Sequence, residues 1–214
     1  MKTYKLHFIR HGITSGNKEG RYVGQKDVSL CPEGIEEIQK LLNEFSYPYV
    51  EKIYTSPLSR CIETAHLIYP EFENYIVDEM KELDFGDFEG RSYKDLEGDE
   101  NFKMWIQNSK EFSPPNGEKG DAFISRLLIG IEKIFKDMMD NNITSAAVFT
   151  HGGVIMSLFS AIGLPKHSMA EWMTQNACGY TVLLTPQMWM RDQSFEVYDI
   201  IPKLSENNEN GFDD

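Results

Sequence analysis

The chain has 214 residues, 41% hydrophobic and 26% charged, which suits a soluble globular fold with one sizeable core. A net charge of −13 argues against nucleic acid or an anionic membrane as partner, and no run reaches the ~20 apolar residues of a membrane span. Cys31, Cys61 and Cys178 are scattered and odd in number, with no CxxC or HExxH spacing, so the expectation is a cytoplasmic protein without a disulfide framework or a bound metal.

Lys2 and Lys5 run into a short strand-like stretch, not a long apolar segment with a cleavage site, so no secretory signal is expected. Tyr4–Ile9 reads as a buried strand. Pro32–Phe45 reads as a helix, with proline at its first turn and Ile35, Ile38, Leu41, Leu42 and Phe45 on one face. Val50–Tyr54 is a second strand, and "TSPLSR" starts a helix to about Tyr69 with Ser56 as N-cap. Tyr75–Val77 is a short strand. The segment Arg91–Gly120 is polar and rich in Gly and Pro, and reads as a partly helical excursion over the sheet edge. Its Tyr93, Phe102, Trp105 and Phe112 offer stacking on a sugar or base ring, with packing against the sheet as the ordinary alternative. Ala122–Met139 is a strong amphipathic helix closed by Asn141 and Asn142. Ser145–Phe149 is a strand, Val154–Ile162 a helix, and Tyr180–Leu184 and Phe195–Ile201 are strands around a turn at 186–194. The acidic residues 205–214 read as a disordered tail.

Strand and helix alternate, which predicts a mostly parallel sheet with helices on both faces in a single domain over 1–204. In such sheets ligands sit beyond the carboxyl ends of the strands. The first strand ends in Arg10 and His11. The second leads to Arg60 in the first turns of its helix. A later strand delivers His151, then Gly152 and Gly153 at a helix start. Each piece alone has a plain explanation in capping or surface charge. Together, two guanidiniums, two imidazoles and helix N-termini make an anion site. Residues 1–30 carry six cations against two anions in an otherwise acidic chain, Arg21 among them, and Thr14, Ser15 and Asn17 add neutral donors. Phosphoryl transfer also needs a nucleophile and a proton donor. A neutral His serves as the first, and Glu82, Asp84, Asp87 and Glu89 are candidates for the second that spacing does not separate.

"RHGITSGN" resembles the RHGxTxxN signature of the histidine phosphatase superfamily, phosphoglycerate mutase-like branch. "YVGQKDVSLCPEG", "SPLSRCIETA", "ELDFGDFEG", "PPNGE" and "VFTHGGVI" follow in the family's order, so the resemblance spans about Lys5 to Ile162. It implies a three-layer α/β/α sandwich with an insertion, about 91–120, lying over the pocket as a lid. It also implies a phosphohistidine mechanism without metal or organic cofactor. His11 would attack the phosphoryl group, Arg10, Arg60 and His151 would cradle its oxygens, and Glu82 would be the general acid. Asn17, Thr14, Ser15, Gly152, Arg21 and Gly24 are the candidate substrate-binding residues. Cys31 stands where relatives often have Thr or Ser, which touches capping, and Lys119 stands where many continue with Ser, which leaves substrate contacts near Glu118 open. Mutase relatives carry an acidic residue and a Trp where Thr14, Ser15 and Gly16 stand, and they are longer. Both differences favour a phosphatase over a mutase.

Within the superfamily "LDFGDFEG" and "PPNGE" resemble α-ribazole phosphatases, which makes that substrate one candidate. Five cations and six anions between 91 and 120 do not advertise a bisphosphate site. The expected partner is a small phosphorylated metabolite. A catalytically dead phosphate-binding module is the alternative of another class. His7, His66 and His167 read as structural. Met169, Trp172, Met173, Met188, Trp189 and Met190 read as C-terminal packing, with exposed ones open to a homodimer contact.

Overall fold

The computed structural model describes residues 2–109 and 111–205. Its elements in chain order are β1 (Tyr4–Arg10), α1 (Ser15–Lys18), α2 (Pro32–Glu44), β2 (Phe45–Ser46), β3 (Lys52–Thr55), α3 (Ser59–Ile68) and β4 (Asn74–Ile76). There follow α4 (Tyr93–Leu96), α5 (Glu100–Gln107), α6 (Gly120–Asp140), β5 (Ser145–Thr150), α7 (Gly152–Ile162), β6 (Gly163–Leu164), β7 (Gly179–Leu184), α8 (Pro186–Asp192), β8 (Phe195–Ile201) and β9 (Lys203–Leu204).

Among the described residues seven strands form one sheet in the order β4-β3-β5-β1-β7-β8-β6. β1 pairs in parallel with β5, β5 with β3 and β3 with β4, while β7 runs antiparallel to both β1 and β8. The mostly parallel α/β architecture is therefore as the sequence reads, with an antiparallel flank. β1 and β5 lie at the centre; β5, buried along nearly its whole length, is a near-continuous apolar run, while β1 sets Lys5 and His7 between its apolar residues.

Alternate strand residues feed two cores. Leu6, Phe8, Tyr54 and Val148 face α6 and α7, where Phe123, Leu127, Ile131 and Ile134 supply the amphipathic stripe. Ile9, Ile53, Ala147 and Phe149 face α2 and α3, meeting Ile38, Cys61, Ala65 and Ile68. The helices thus cover both faces.

Three local expectations are corrected. The helix after β3 begins at Ser59 with Leu58 at the cap, so Ser56 is not its N-cap. The Asp27 carboxylate does that work instead, accepting from Ser59 N (2.7 Å) and Ser59 Oγ (2.8 Å). Residues 186–192 form α8 rather than part of a turn. Thr185 Oγ1 caps Met188 N at 3.2 Å, Pro186 fits the first turn, and left-handed Gln193 (φ 45°) ends the helix. Two of the insertion's aromatics pack away from the sheet. Phe102 and Trp105 join Tyr22, Phe85 and Phe88 in a separate small cluster, with Tyr22–Phe102 ring centroids 5.6 Å apart. In the C-terminal region Trp172 and Trp189 are buried, whereas Met173 and Met190 are exposed. The expected acidic tail lies outside the described residues except for Ser205, whose N–H bonds Glu44 O at 3.1 Å.

Candidate active site

The carboxyl ends of β1 and β5 are neighbours, so their last residues meet. His11 N–H bonds Thr150 O at 2.9 Å, and the His11 and His151 rings lie 5.3 Å apart. The His11 Nδ1 is 2.6 Å from Gly12 O. A carbonyl only accepts, so Nδ1 carries the proton and the lone pair belongs to Nε2. Burial first, then the Arg60 charge, hold the His11 pKa well below its usual 6.5, with the Gly12 bond opposing and Arg10 adding to the depression. The ring is neutral at neutral pH. His151 is held down by burial and by Arg60 in the same way, and its Nε2 meets Ser56 Oγ at 2.8 Å.

Arg60 sits in the first turn of α3, fully buried. Its Nη2 and Nη1 donate to the carbonyls of Gly24 (2.6 Å) and Lys26 (3.1 Å). Arg10 is fixed by Nη1 donating to Thr174 O at 2.7 Å. The Nε atoms of both arginines are buried without a hydrogen-bond partner among the described residues. Two unpaired guanidinium N–H groups beside a neutral imidazole form a site for an anion. A Cβ at Gly152 would stand 3.2 Å from Arg10 Nε, so this glycine lies against the guanidinium.

Four carboxylates were open as proton donor, and their surroundings separate them. Asp84 accepts from Gly86 N, Asp87 from Asn116, and Glu89 from Gly24 N, Gln25 N and Phe85 N. Glu82 is the buried one, 6% exposed. Its Oε2 accepts from Gly153 N at 2.8 Å and its Oε1 from Leu83 N at 2.9 Å. Burial raises its pKa above 4.5, and the two N–H donors, Arg60 and Arg10 only partly offset that. The site therefore pairs a neutral imidazole with a carboxyl biased towards its protonated form.

The remaining candidates lie around this cluster. Asn17 Oδ1 accepts from Thr14 N and Thr14 Oγ1, both at 3.0 Å, a capping box that starts α1 and leaves the Asn17 amide NH2 without a protein partner among the described residues. Ser15 and Arg21 line a different crevice of ≈ 300 Å³ with Lys26 and Glu89. Arg21 is exposed there and donates to Glu19 Oε2 (2.5 Å) and Gly90 O (2.8 Å). Gly24 is placed as an acceptor for Arg60.

Sequence reasoning missed several supports. Ser56 was legible only as a cap. Cys61 Sγ stands 3.6 Å from His151 Nε2, its thiol pushed up to about 12 by burial. Thr64 Oγ1 accepts from Gly12 N at 2.8 Å. Arg126 and Glu118 pair behind Glu82; Glu118 stood out only as part of the "PPNGE" block, and its partner Arg126 not at all.

Residues 6–193 match the family model described as histidine phosphatase superfamily (branch 1). The adenosylcobalamin/alpha-ribazole phosphatase of Escherichia coli (strain K12) is 31% identical over 179 residues, 81% of this chain and 87% of that protein. The crystal structure of the alpha-ribazole phosphatase from Shigella flexneri aligns with a TM-score of 0.73 at 25% identity, over 94% of this chain and 96% of that one. Phosphoglycerate mutase from Bacillus anthracis aligns with a TM-score of 0.74 over 92% of each chain, and at 21% identity it shows the fold. With the family match running through most of its length and a relative above 30% identity, this chain belongs to the histidine phosphatase superfamily, branch 1.

Proposed function

We propose that the protein hydrolyses a small phosphate monoester through a phosphohistidine on His11. The observation that carries this reading is the buried His11 ring, whose Nδ1 is committed to Gly12 O and which feels the charges of Arg60 and Arg10, two arginines with unpaired Nε groups. His11 Nε2 attacks phosphorus, the phosphorus–oxygen bond to the alcohol breaks, and Glu82 gives its proton to the leaving oxygen. Water then attacks the phosphohistidine, Glu82 takes a proton from it, and inorganic phosphate leaves. Arg10, Arg60, His151 and the free amide of Asn17 hold the phosphoryl oxygens, which carry the developing charge. Gly152 lets the chain approach Arg10. Thr14 positions Asn17 and Gly24 positions Arg60, while Ser15 and Arg21, in a separate crevice, have no part in this step.

The insertion from 91 to 120 acts as a lid over this site, and residues 1–204 as one domain. A crevice of ≈ 260 Å³ beside the Glu82 loop supports an uncharged leaving alcohol. Leu83, Trp105, Phe123, Ile124 and Met169 line it together with Ser109, Ser157, Ser160 and Asp121, and no Lys or Arg is among its lining residues. That favours an α-ribazole-type phosphate over a phosphoglycerate. Free thiols at Cys31, Cys61 and Cys178 support a reducing, cytoplasmic setting. No helix among the described residues is long and apolar enough to cross a membrane. Exposed Met173 and Met190 support a homodimer, which sedimentation equilibrium checks.

The test is turnover of p-nitrophenyl phosphate by the wild type and by His11→Ala. Phosphate release in the first and none in the second is the expected result; equal rates would refute the mechanism.

A further inference from the structure

The segment that carries Glu82 has no regular structure between Lys81 and Phe85, so the aim of its carboxyl depends on what holds its backbone. Arg126, near the start of α6, holds it. Its Nη1 donates to Glu79 O (2.7 Å) and Lys81 O (3.0 Å), and its Nη2 to Glu82 O (3.3 Å). Its Nε and Nη2 also meet the Oε1 (2.9 Å) and Oε2 (2.7 Å) of Glu118, a two-pronged pair with side chains only 22% and 16% exposed. All five guanidinium N–H donors are thus spent on the protein. Arg10 and Arg60 each keep an unpaired Nε. That difference in hydrogen-bond accounting separates arginines open to an anion from one that is structurally committed.

Glu118 closes the arrangement from the other side. Its own N–H bonds Asp84 O at 2.9 Å, and Asp87 N bonds Pro115 O at 2.9 Å, so the end of the insertion is laced to the same loop. Thr150 Oγ1 adds a bond to Met80 O at 3.0 Å and Gln25 Nε2 one to Glu82 O at 3.3 Å. Of these tethers, Arg126 alone reaches two carbonyls of the segment, Lys81 and Glu82, and a third, Glu79, just before it. A lysine, a point charge on a flexible stem, cannot satisfy three carbonyls and a carboxylate in one plane.

We propose that Arg126, braced by Glu118, is a positioning residue for Glu82: it fixes the backbone from which the carboxyl reaches the leaving oxygen, and it does not bind phosphate. This rests on the reading of Glu82 as the general acid.

The experiment compares kcat/KM on p-nitrophenyl phosphate, whose leaving group needs little protonation, with that on an alkyl phosphate, which needs it. The variants are Arg126→Lys, Glu118→Gln, Glu82→Gln and the double variant Arg126→Lys/Glu82→Gln. Glu118→Gln keeps the side-chain shape and covers the case in which Arg126→Lys fails to fold. The expected result for Arg126→Lys is a loss of about 10–100-fold on the alkyl phosphate from a misplaced acid, with p-nitrophenyl phosphate within about threefold. Glu118→Gln shows the same bias more weakly. The double variant is no slower than Glu82→Gln, to within about twofold, because the two act through one group. Equal losses on both substrates, or multiplied losses in the double variant, overturn the proposal while leaving Glu82 in its role if Glu82→Gln is itself leaving-group dependent. If Glu82→Gln loses equally on both substrates, the general-acid reading fails and the positioning role falls with it.

Discussion

The chemistry asked of this site needs two groups in protonation states opposite to those their kinds prefer in water near pH 6. His11 is kept neutral by burial and by Arg60, its pKa well below 6.5, and Glu82 is pushed above 4.5 by burial. The signs give a bell-shaped profile. Activity falls on the acid side as His11 gains a proton, below pH 6.5, and on the alkaline side as Glu82 loses its own through a raised pKa. A pH series of kcat/KM on an alkyl phosphate should show both limbs, and Glu82→Gln should abolish the alkaline one at a cost of roughly 10²–10⁴ in rate. An unchanged alkaline limb would remove Glu82 from the role. Gly153 matters at the same scale. A Cβ there would lie 2.4 Å from Glu82 Oε1, so Gly153→Ala must displace the carboxyl or the helix start that binds it. A drop of about 10–100-fold in kcat on the alkyl phosphate is expected, with thermal unfolding as the control for folding.

Among the elements, those with a strong period or an unbroken apolar run were legible: β1, β5 and α6 need nothing beyond their own residues to be recognised. What escaped depends on distant partners. Ser56 has the local signature of a helix cap, but Asp27, far back in the chain, takes that task and leaves the Ser56 hydroxyl to His151. α8 begins with a proline and is short, and so reads as a turn. Trp189 docking on Phe135, ring centroids 6.1 Å apart, is what makes it worth folding as a helix. His7 in β1 shows the same dependence on neighbours. Its Nδ1 and Nε2 meet Thr181 Oγ1 (2.9 Å) and Ser145 Oγ (3.0 Å), and burial with nearby Lys5 lowers its pKa from 6.5 to about 4. Between those values the unfolded chain binds the proton that the folded chain refuses, so stability is full above pH 6.5 and is lost as pH falls towards 4. His11 and His151, also depressed, add slope of the same sign. Thermal unfolding across pH 4–7 should show that slope, and His7→Gln, which keeps a donor and an acceptor, should make it shallower. An unaltered slope would mean that His7 is not a contributor.

Across the whole molecule, the candidate site was readable because each strand end delivers its residues contiguously: Arg10 with His11, and His151 with Gly152 and Gly153, are short local blocks. The supports were not readable, because Arg126–Glu118, Thr64–Gly12 and Cys61–His151 are meetings of separate segments whose pairing only the fold reveals. The same limit applied to the acid, where four carboxylates lie within eight residues and only burial sets Glu82 apart. All of this converges on one covalent event. Rapid quenching of the enzyme during turnover of a labelled phosphate ester, followed by peptide mapping, measures it directly. The account predicts one acid-labile, base-stable phosphoryl group per chain, on the peptide containing His11 and absent from His11→Ala. Turnover with no trapped phosphoryl group, or a label that persists in His11→Ala, would contradict it.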